Sequence, residues 1–446
     1  MPKNQATVDE ARPGASVPRA AWLIGPALVA GVAYLDPGNV ASNMTAGAAF
    51  GYLLVWVVVL GNVMAWLIQY LSAKLGIVTG LSLPETLGRR IRNPWGRRGY
   101  WLQAELVAMA TDIAEVIGGA VALDLLFGLP LVWGGALTGA VSIALLLVQS
   151  RGGARPFELV VIGLVAIIAV GFAFGVFVAP PDPAGVAGGL LPRFAGTDSV
   201  LLAASILGAT IMPHAIYAHS ALARDRFAPP QAPARDHSTP PTTDPAPRPD
   251  PAEAALAGLR GIPTARLLRA TRWDVGIAMV IAGTVNLCIL LLAAANLAGV
   301  PGTESLEGAY AALRDGLGPT VAVLFAVGLL ASGLASTSVG AYAGAEIMHG
   351  LLRVRVPLPV RRIVTLIPAL VILAAGVDPT LALVLSQVAL SFGIPFALIP
   401  LVRLTALADV LGRFRNRALT TAAGVAASVF LIALNGILLW LVLTGA

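Results

Sequence analysis

Charge and cysteine are both scarce in this chain of 446 residues. Charged residues make up 12% of the sequence, hydrophobic residues make up 57%, and the mean hydropathy is +0.83. Soluble globular domains carry about 25% charged residues, so the composition excludes an ordinary soluble protein. The single cysteine, Cys288, cannot form an intrachain disulfide, and its apolar neighbours favour a packed core residue over a redox centre.

Long apolar runs recur from Ala20 to the C-terminus. Each is long enough to cross about 30 Å of hydrocarbon, and it must be helical because lipid offers backbone groups no hydrogen-bond partner. We therefore predict an all-α integral membrane protein with 11 transmembrane helices. The predicted spans are residues 20–46, 50–76, 101–126, 130–149, 156–178, 197–222, 273–298, 318–350, 361–377, 380–404 and 418–444.

The isoelectric point near 9.9 does not indicate a nucleic-acid partner, because the basic residues follow the loops. With the N-terminus inside, every Lys and Arg except Arg193 and Arg314 falls on the cytoplasmic side or at its membrane boundary. Lysine is almost absent among them, which indicates a GC-rich bacterial genome. We predict a multi-pass protein of a bacterial inner (plasma) membrane, with a cytoplasmic N-terminus and an extracytoplasmic C-terminus.

Two polar segments lie outside the predicted spans. Residues 1–19 lack a cleavage-site pattern and are predicted to be a retained cytoplasmic tail. Residues 224–263 contain nine prolines between Pro229 and Pro251, interleaved with Asp, Arg and Thr, which predicts a disordered cytoplasmic insertion. An interaction role for the insertion stays open.

The first and sixth predicted spans carry helix breakers in their middles. The first contains Asp36-Pro-Gly-Asn39 and the sixth contains Met212-Pro-His214. Each proline removes a backbone donor, and corresponding interruptions in two five-helix halves are typical of transporters with inverted repeats. We predict one repeat over residues 20–178 and a second over 197–404, followed by an eleventh helix at 418–444. The alternative is a simple kink in each of two packed helices.

The residues at the breaks have the composition of a cation site. Asp36 lies near the centre of its span, where an unpaired carboxylate costs about 3 kcal/mol and is a functional candidate. Asn39 supplies an amide oxygen, and the unwound backbone near Ala33 and Ala209 supplies carbonyl oxygens. Met212 would add a thioether, which transition metals accept and from which calcium and magnesium gain nothing.

A second set of ionisable residues lies on the third span. Asp112 and Glu115 are three residues apart and share one helix face, with Glu105 about two turns away. Arg361 and Arg362 are candidates to pair with these acids. The carboxylates could pass protons, or they could form structural ion pairs and nothing more.

Together, the two break motifs resemble the paired signature of the Nramp family of proton-coupled divalent-metal transporters. The resemblance covers nearly the whole chain and extends to Thr111-Asp112-Ile-Ala-Glu115-Val, Ser386-Gln387-Val and Arg361-Arg362. It implies a leucine-transporter-like fold, alternating access, Mn²⁺ or Fe²⁺ as substrate, and cotransport of protons into the cytoplasm. Cd²⁺ is a plausible further substrate.

The resemblance also implies roles for single residues. The metal ligands would be Asp36, Asn39, Met212 and the Ala209 carbonyl, with Gln387 joining in some states. The proton route from Asp36 would use Glu115, Asp112 and His214. No resident cofactor is expected: the partners are metal ions, protons and the lipid bilayer. Neither the oligomeric state nor the choice between Mn²⁺ and Fe²⁺ follows from the sequence.

Other polar residues are less informative. Gln69 and Thr210 could line a cavity, or they could join helices by hydrogen bonds. His214 and His219 are five residues apart and do not match a zinc-protease motif, and His219 is better explained as a structural hydrogen-bonding residue.

Two further functional classes remain as alternatives. A sodium-coupled amino-acid or organic-solute transporter on the same fold explains the broken helices but not Met212. The other alternative is a membrane enzyme or a structural membrane protein, which would need a nucleophile, a phosphate-binding loop or a large soluble domain, and we find none of these in the sequence. We therefore predict that the chain is not an enzyme.

Overall fold

The computed structural model describes residues 25–152, 154–227, 262–354 and 356–445. In these ranges the regular structure is helical, with no strand. Seventeen α-helices are found there: α1 Pro26–Gly31, α2 Pro37–Phe50, α3 Val55–Thr79, α4 Leu83–Arg90, α5 Pro94–Phe127, α6 Leu131–Gly152, α7 Ala154–Val178, α8 Pro183–Gly189, α9 Thr197–Thr210, α10 Pro213–Phe227, α11 Thr264–Asn296, α12 Leu306–Leu317, α13 Pro319–Leu352, α14 Leu358–Ala374, α15 Pro379–Ala406, α16 Ala408–Leu411 and α17 Ala418–Thr444.

The long helices correspond to the predicted spans. Helices α1 and α2 lie in the first predicted span and α9 and α10 in the sixth. One helix lies in each of the other predicted spans: α3, α5, α6, α7, α11, α13, α14, α15 and α17. By length and composition, seven helical stretches of the described chain could cross a membrane. The predicted all-α membrane fold is confirmed. The division into two repeats at the stated boundaries stays a prediction, and the predicted tail 1–19 lies outside the described residues.

Several helices extend beyond the boundaries that hydropathy predicts. Helix α5 begins at Pro94, where the Asn93 side chain accepts a hydrogen bond of 2.9 Å from the Trp95 amide, and not near residue 101. Helix α11 begins at Thr264, and α10 continues to Phe227, into the segment predicted to be disordered. Their polar first or last turns lie outside the apolar window, so hydropathy does not detect them. Residues 228–261 of the predicted insertion are outside the described residues.

Helix α14 shows how the bundle separates lipid from its polar interior. Ile363, Ile367 and Val371 follow one another at helical spacing and are 52%, 57% and 60% exposed. The opposite face carries Arg361 and Arg362, which are 4% and 0% exposed. The charged face of this helix is therefore directed into the protein, and its apolar face is free to contact lipid.

Both predicted helix breaks are confirmed. After α1, a 3-10 turn over Val32–Leu35 leads to Asp36, whose backbone is extended with φ −71° and ψ 165° before α2 begins. Helix α9 ends at Thr210 and α10 begins at Pro213. Two interrupted helices thus meet inside the bundle.

Candidate metal site and polar network

Each proline at a break frees one carbonyl group. In an uninterrupted helix, residue 37 would donate its N–H to Ala33 and residue 213 would donate to Ala209, but proline has no N–H. Both alanines are fully buried. The breaks therefore create polar oxygen atoms in the membrane interior, where an unsatisfied acceptor is costly.

Asp36 is the N-cap of α2. Its Oδ1 atom accepts hydrogen bonds of 2.8 Å from both the backbone N–H and the side-chain Nδ2 of Asn39. The carboxylate is fully buried, and it lies at a helix N-terminus, where the helix dipole favours negative charge. The sequence motif thus folds into a local turn that stabilises an anion.

Two further contacts bring the broken helices and α15 together. Asn39 Nδ2 donates to the Ala209 carbonyl oxygen over 2.9 Å, which joins α2 to the end of α9. Gln387 Nε2, on α15, lies 3.4 Å from Asp36 Oδ2. Four predicted ligand residues therefore lie in one hydrogen-bonded group.

The two amide oxygens of this group lack hydrogen-bond partners. Asn39 Oδ1 and Gln387 Oε1 are both buried and accept no hydrogen bond. Buried acceptors are nearly always paired in folded proteins, so two such oxygens beside a buried carboxylate fit a cation as the missing partner.

Met212 and Ala33 complete the predicted ligand set. Met212 is fully buried in the linker between α9 and α10, three residues after Ala209. Ala33 is buried in the 3-10 turn before Asp36, but no hydrogen bond among the described residues joins it to the group. The described chain contains no cluster of three His, Cys, Asp or Glu residues suited to a metal, so this site depends on a single carboxylate with neutral ligands.

Gly38 permits the approach of α15. A Cβ atom at this position would lie 1.9 Å from Gln387 Nε2, well inside van der Waals contact. A larger residue at position 38 would therefore displace the end of the Gln387 side chain from Asp36, a role that the sequence does not reveal.

Two polar residues that the sequence analysis missed hold the first break open. Asn286 Nδ2 on α11 donates to the Tyr34 carbonyl over 2.9 Å, and the Ser332 hydroxyl on α13 donates to the Leu35 carbonyl. They satisfy backbone groups that the helix has released. Their only signal in the sequence is a polar residue in an apolar span, which is too common to be specific.

The predicted acids and arginines form one buried network. Arg361 lies 2.8 Å from Glu105 and 3.1 Å from Asp112. Arg362 lies 2.8 Å from Asp112 and 3.0 Å from Glu115. The two arginines of α14 thus connect three carboxylates along the face of α5.

Arg362 is the centre of this network. It is fully buried, and it also donates to the Ser142 hydroxyl over 2.9 Å and to Thr337 over 3.2 Å. Glu115 Oε1 is buried without a hydrogen-bond partner. The carboxylate of Glu115 is therefore half paired, which leaves one oxygen able to accept a proton.

The network reaches the first break through close packing of α2 on α5. A Cβ atom at Gly118 would lie 2.1 Å from Pro37 Cβ, and Gly118 is one turn beyond Glu115. Next to the second break, His214 Nδ1 lies 3.1 Å from the Thr111 hydroxyl, adjacent to Asp112. The predicted proton-route residues are thus close to both breaks.

The remaining predicted residues, Gln69 and Thr210, make hydrogen bonds away from the Asp36 group. Gln69 Oε1 lies 2.7 Å from His219 Nδ1, and the Thr210 hydroxyl donates to the Ile206 carbonyl of its own helix over 2.6 Å. Neither contact connects Gln69 or Thr210 to the Asp36 group. Gln69 thus joins α3 to α10, whereas the Thr210 bond stays within α9, and a cavity-lining role for either residue stays a prediction.

Comparisons with known proteins agree on one family. The model of the Nramp family (natural resistance-associated macrophage protein-like) matches residues 27–441. The divalent metal cation transporter MntH of Mycobacterium tuberculosis is 57% identical over 424 residues, which cover 95% of this chain and 92% of that protein.

Solved structures give the same result for the fold. A variant of the Eremococcus coleocola manganese transporter superposes with a TM-score of 0.77 at 30% identity, covering 96% of this chain and 88% of that one. MhsT, solved in complex with L-phenylalanine, superposes with a TM-score of 0.57 at 12% identity, covering 95% and 98%. This second likeness extends to the leucine-transporter-like fold and no further.

Proposed function

Because the chain belongs to the Nramp family, we propose that it imports divalent transition-metal ions, Mn²⁺ above all, through the site at Asp36. Fe²⁺ and Cd²⁺ would be further substrates. Its relatives carry the names of transporters, which confirms that the chain is not an enzyme. We expect no resident cofactor, and the metal would be the transported substrate.

The observation that supports the proposal most strongly is the pair of unpartnered oxygens beside Asp36. Asn39 Oδ1 and Gln387 Oε1 are buried acceptors on two different helices. The Asn39 amide group also lies between Asp36 Oδ1 and the Ala209 carbonyl oxygen, at 2.8 and 2.9 Å. A divalent cation could occupy the position of Asn39 Nδ2 between these two oxygens after a rotation of the amide that turns Asn39 Oδ1 toward the cation.

The chemistry of the proposed ligands favours a transition metal. One carboxylate, two amide oxygens and a carbonyl suit many divalent ions, but the Met212 thioether is a soft ligand. Calcium and magnesium prefer oxygen alone. The thioether therefore supports Mn²⁺ or Fe²⁺ over the more abundant hard ions.

We assign proton coupling to Asp36 together with the network on α5. A cation at Asp36 favours the charged carboxylate and displaces its proton, which then needs an acceptor. Glu115 offers a free oxygen next to the break. From Glu115 the proposed route follows the ion-pair network along α5 to Glu105, through Asp112, Arg361 and Arg362. His214 would connect the second break to the same route.

Orientation follows from the distribution of charge. By the predicted order of the spans, the end of the bundle where Glu105 meets Arg361 would also carry most of the arginines, and the positive-inside rule then assigns that end to the cytoplasm. The N-terminus would then be cytoplasmic and the C-terminus extracytoplasmic. Broken helices at a midplane site support alternating access, in which the site opens to each side in turn.

The test is uptake by purified protein in liposomes, with Mn²⁺ and Mg²⁺ supplied separately and the internal pH recorded. The proposal predicts entry of Mn²⁺ with internal acidification and negligible entry of Mg²⁺. Equal uptake of both ions would contradict the metal assignment. Mn²⁺ uptake with no pH change would contradict proton coupling and leave the metal site standing.

A further inference from the structure

A cavity of about 450 Å³ lies at one membrane end of the bundle, between α3, α11 and the start of α17. It is remote in sequence from both breaks and shares no residue with the metal site or the acid network. Its lining residues are Tyr70, Lys74, Leu268, Arg272, Phe414, Arg415, Arg417, Leu419 and Thr420.

The lining carries four cationic side chains and no carboxylate. Among the described residues, none of the four cations takes part in an ion pair. Like charges held together without counter-charge repel one another, so an arrangement of this kind fits an anion that is shared between them. Arginine and lysine together are typical of sites that bind phosphate groups.

Lys74 is held in place on the cavity wall. It is 6% exposed, and its Nζ donates to Asn416 Oδ1 over 2.8 Å. Asn416 is held in turn by a hydrogen bond of 2.8 Å that its Nδ2 donates to the Thr405 hydroxyl. One acceptor leaves two of the three ammonium hydrogens free to bind a ligand.

One cation is held in position, and a helix end adds to the positive field. The Arg272 guanidinium lies over the Tyr70 ring, with its carbon 5.2 Å from the ring centroid, which restricts the position of the side chain. Helix α17 begins at this cavity with no side-chain cap and no acidic residue in its first turn. Its first N–H groups are therefore available to an anion.

The apolar part of the lining distinguishes a lipid from a small soluble anion. Leu268 and Phe414 lie beside the cations, and Leu419 is 83% exposed at the beginning of a lipid-facing helix. Trp273, next to Arg272, is 70% exposed, as expected for an aromatic residue at a membrane interface. A ligand with a phosphate group and acyl chains would fit both the cationic part and the apolar part of the lining.

We propose that this cavity binds the phosphate headgroup of an anionic membrane lipid, such as phosphatidylglycerol, at the membrane boundary that we assign to the cytoplasm. The cations contact the phosphodiester, and the acyl chains leave along Leu419 and α17. A bound lipid would also join α11 to α17 by a contact that neither helix provides alone.

Native mass spectrometry of the full chain tests the proposal. The protein is released from detergent micelles that contain phosphatidylglycerol and phosphatidylcholine in equal amounts. We expect one tightly retained phosphatidylglycerol. The double variant Arg272→Gln/Arg417→Gln should bind it about 25-fold more weakly, since each surface charge contributes about fivefold. The matched control is Arg266→Gln/Arg269→Gln, which removes two exposed charges from α11 outside the cavity and should retain the lipid like the wild type.

The outcomes distinguish the sources of phosphate. Retention of phosphatidylglycerol that inorganic phosphate does not displace supports the proposal. Binding of inorganic phosphate without lipid retention, or equal loss of lipid in the test and control variants, overturns it. Thermal melting of each variant verifies folding. No metal is needed, so failure here would leave the proposed transport function untouched.

Discussion

Met212 is the residue whose chemistry separates the expected substrates from calcium and magnesium. It is fully buried at the break between α9 and α10, three residues after Ala209, whose carbonyl accepts a hydrogen bond from Asn39. An oxygen-only site would have no means of preferring a scarce transition metal over abundant hard ions. The sulfur atom is therefore the selective element of the proposed site.

Replacing Met212 with alanine should remove selectivity while leaving Mn²⁺ transport in simple buffer. We expect excess Ca²⁺ or Mg²⁺ to inhibit Mn²⁺ uptake at least about tenfold more strongly, since loss of one soft ligand removes roughly 1.4 kcal/mol of preference. Met279→Ala is the matched control: Met279 is also buried, 3% exposed, but lies on α11 and is not a predicted ligand. Unchanged calcium competition in Met212→Ala would refute the role of the thioether.

At the scale of the element, the helix ends at the two breaks explain how a polar site can form inside the bundle. Pro37 and Pro213 each leave a carbonyl without its helical donor, and Asp36 caps the helix that follows the first break. The released carbonyls of Tyr34 and Leu35 are satisfied by side chains from neighbouring spans. The breaks are thus stabilised by packing, and one carbonyl, that of Ala209, is left facing the Asp36 group.

The substitution Pro213→Ala should repair part of the sixth helix. A restored N–H at position 213 would compete for the Ala209 carbonyl, which would raise thermal stability and lower Mn²⁺ affinity by about tenfold. Calorimetric titration and thermal melting measure both effects. Pro368→Ala, inside α14, is the control and should leave Mn²⁺ affinity unchanged. A Pro213→Ala protein with full affinity would show that the freed carbonyl is not a ligand.

Helix α4 offers a test at the same scale outside the membrane. Ser82 and Glu85 form a capping box, and Glu85 Oε2 lies 2.5 Å from Arg224 of α10. Burial acts to raise the pKa of Glu85, but the Ser82 backbone N–H and the Arg224 guanidinium outweigh it and lower the pKa below 4.5. A lowered acid pKa stabilises the fold above the unfolded value, and this contribution is lost as the pH falls through the folded value.

Glu85→Gln should therefore lower the melting temperature at pH 7, by the equivalent of about 1–2 kcal/mol, and the difference from the wild type should shrink below about pH 4.5. Asp409→Asn is the control, because the Arg90–Asp409 pair is 43% and 64% exposed and such pairs contribute little. An equal effect of the two substitutions would contradict the account of α4.

The sequence predicted some elements well because their causes are local. Proline acts on its own helix, so the breaks at Pro37 and Pro213 followed from the chain alone. The contacts of Gln387 with Asp36 and of Asn286 with Tyr34 depend on packing between distant spans. No local pattern contains that information, and Gln387 entered the predicted site through the family resemblance.

At the scale of the whole molecule, the two polar groups lie side by side. Pro37 packs against Gly118, one turn from Glu115, so the proposed metal site and the acid network meet where α2 contacts α5. The ion pairs of Arg361 and Arg362 are consistent with either a proton route or a purely structural network. A measurement of coupled flux separates these two roles.

The double variant Asp112→Asn/Glu115→Gln should uncouple the two fluxes. We expect Mn²⁺ uptake to persist at a reduced rate while internal acidification falls to the level of empty liposomes. Asp124→Asn, at the far end of α5, removes a charge outside the network and should keep both fluxes. Normal acidification in the double variant would assign these acids a structural role only.

The most direct test of the metal site is calorimetric titration of Mn²⁺ into the purified protein and its Asp36→Ala variant. The account predicts binding to the wild type and none detectable in the variant, because the only carboxylate of the site is gone. Asp378→Ala, which removes an N-cap carboxylate from α15, should bind Mn²⁺ normally. Full Mn²⁺ affinity in Asp36→Ala would contradict the account.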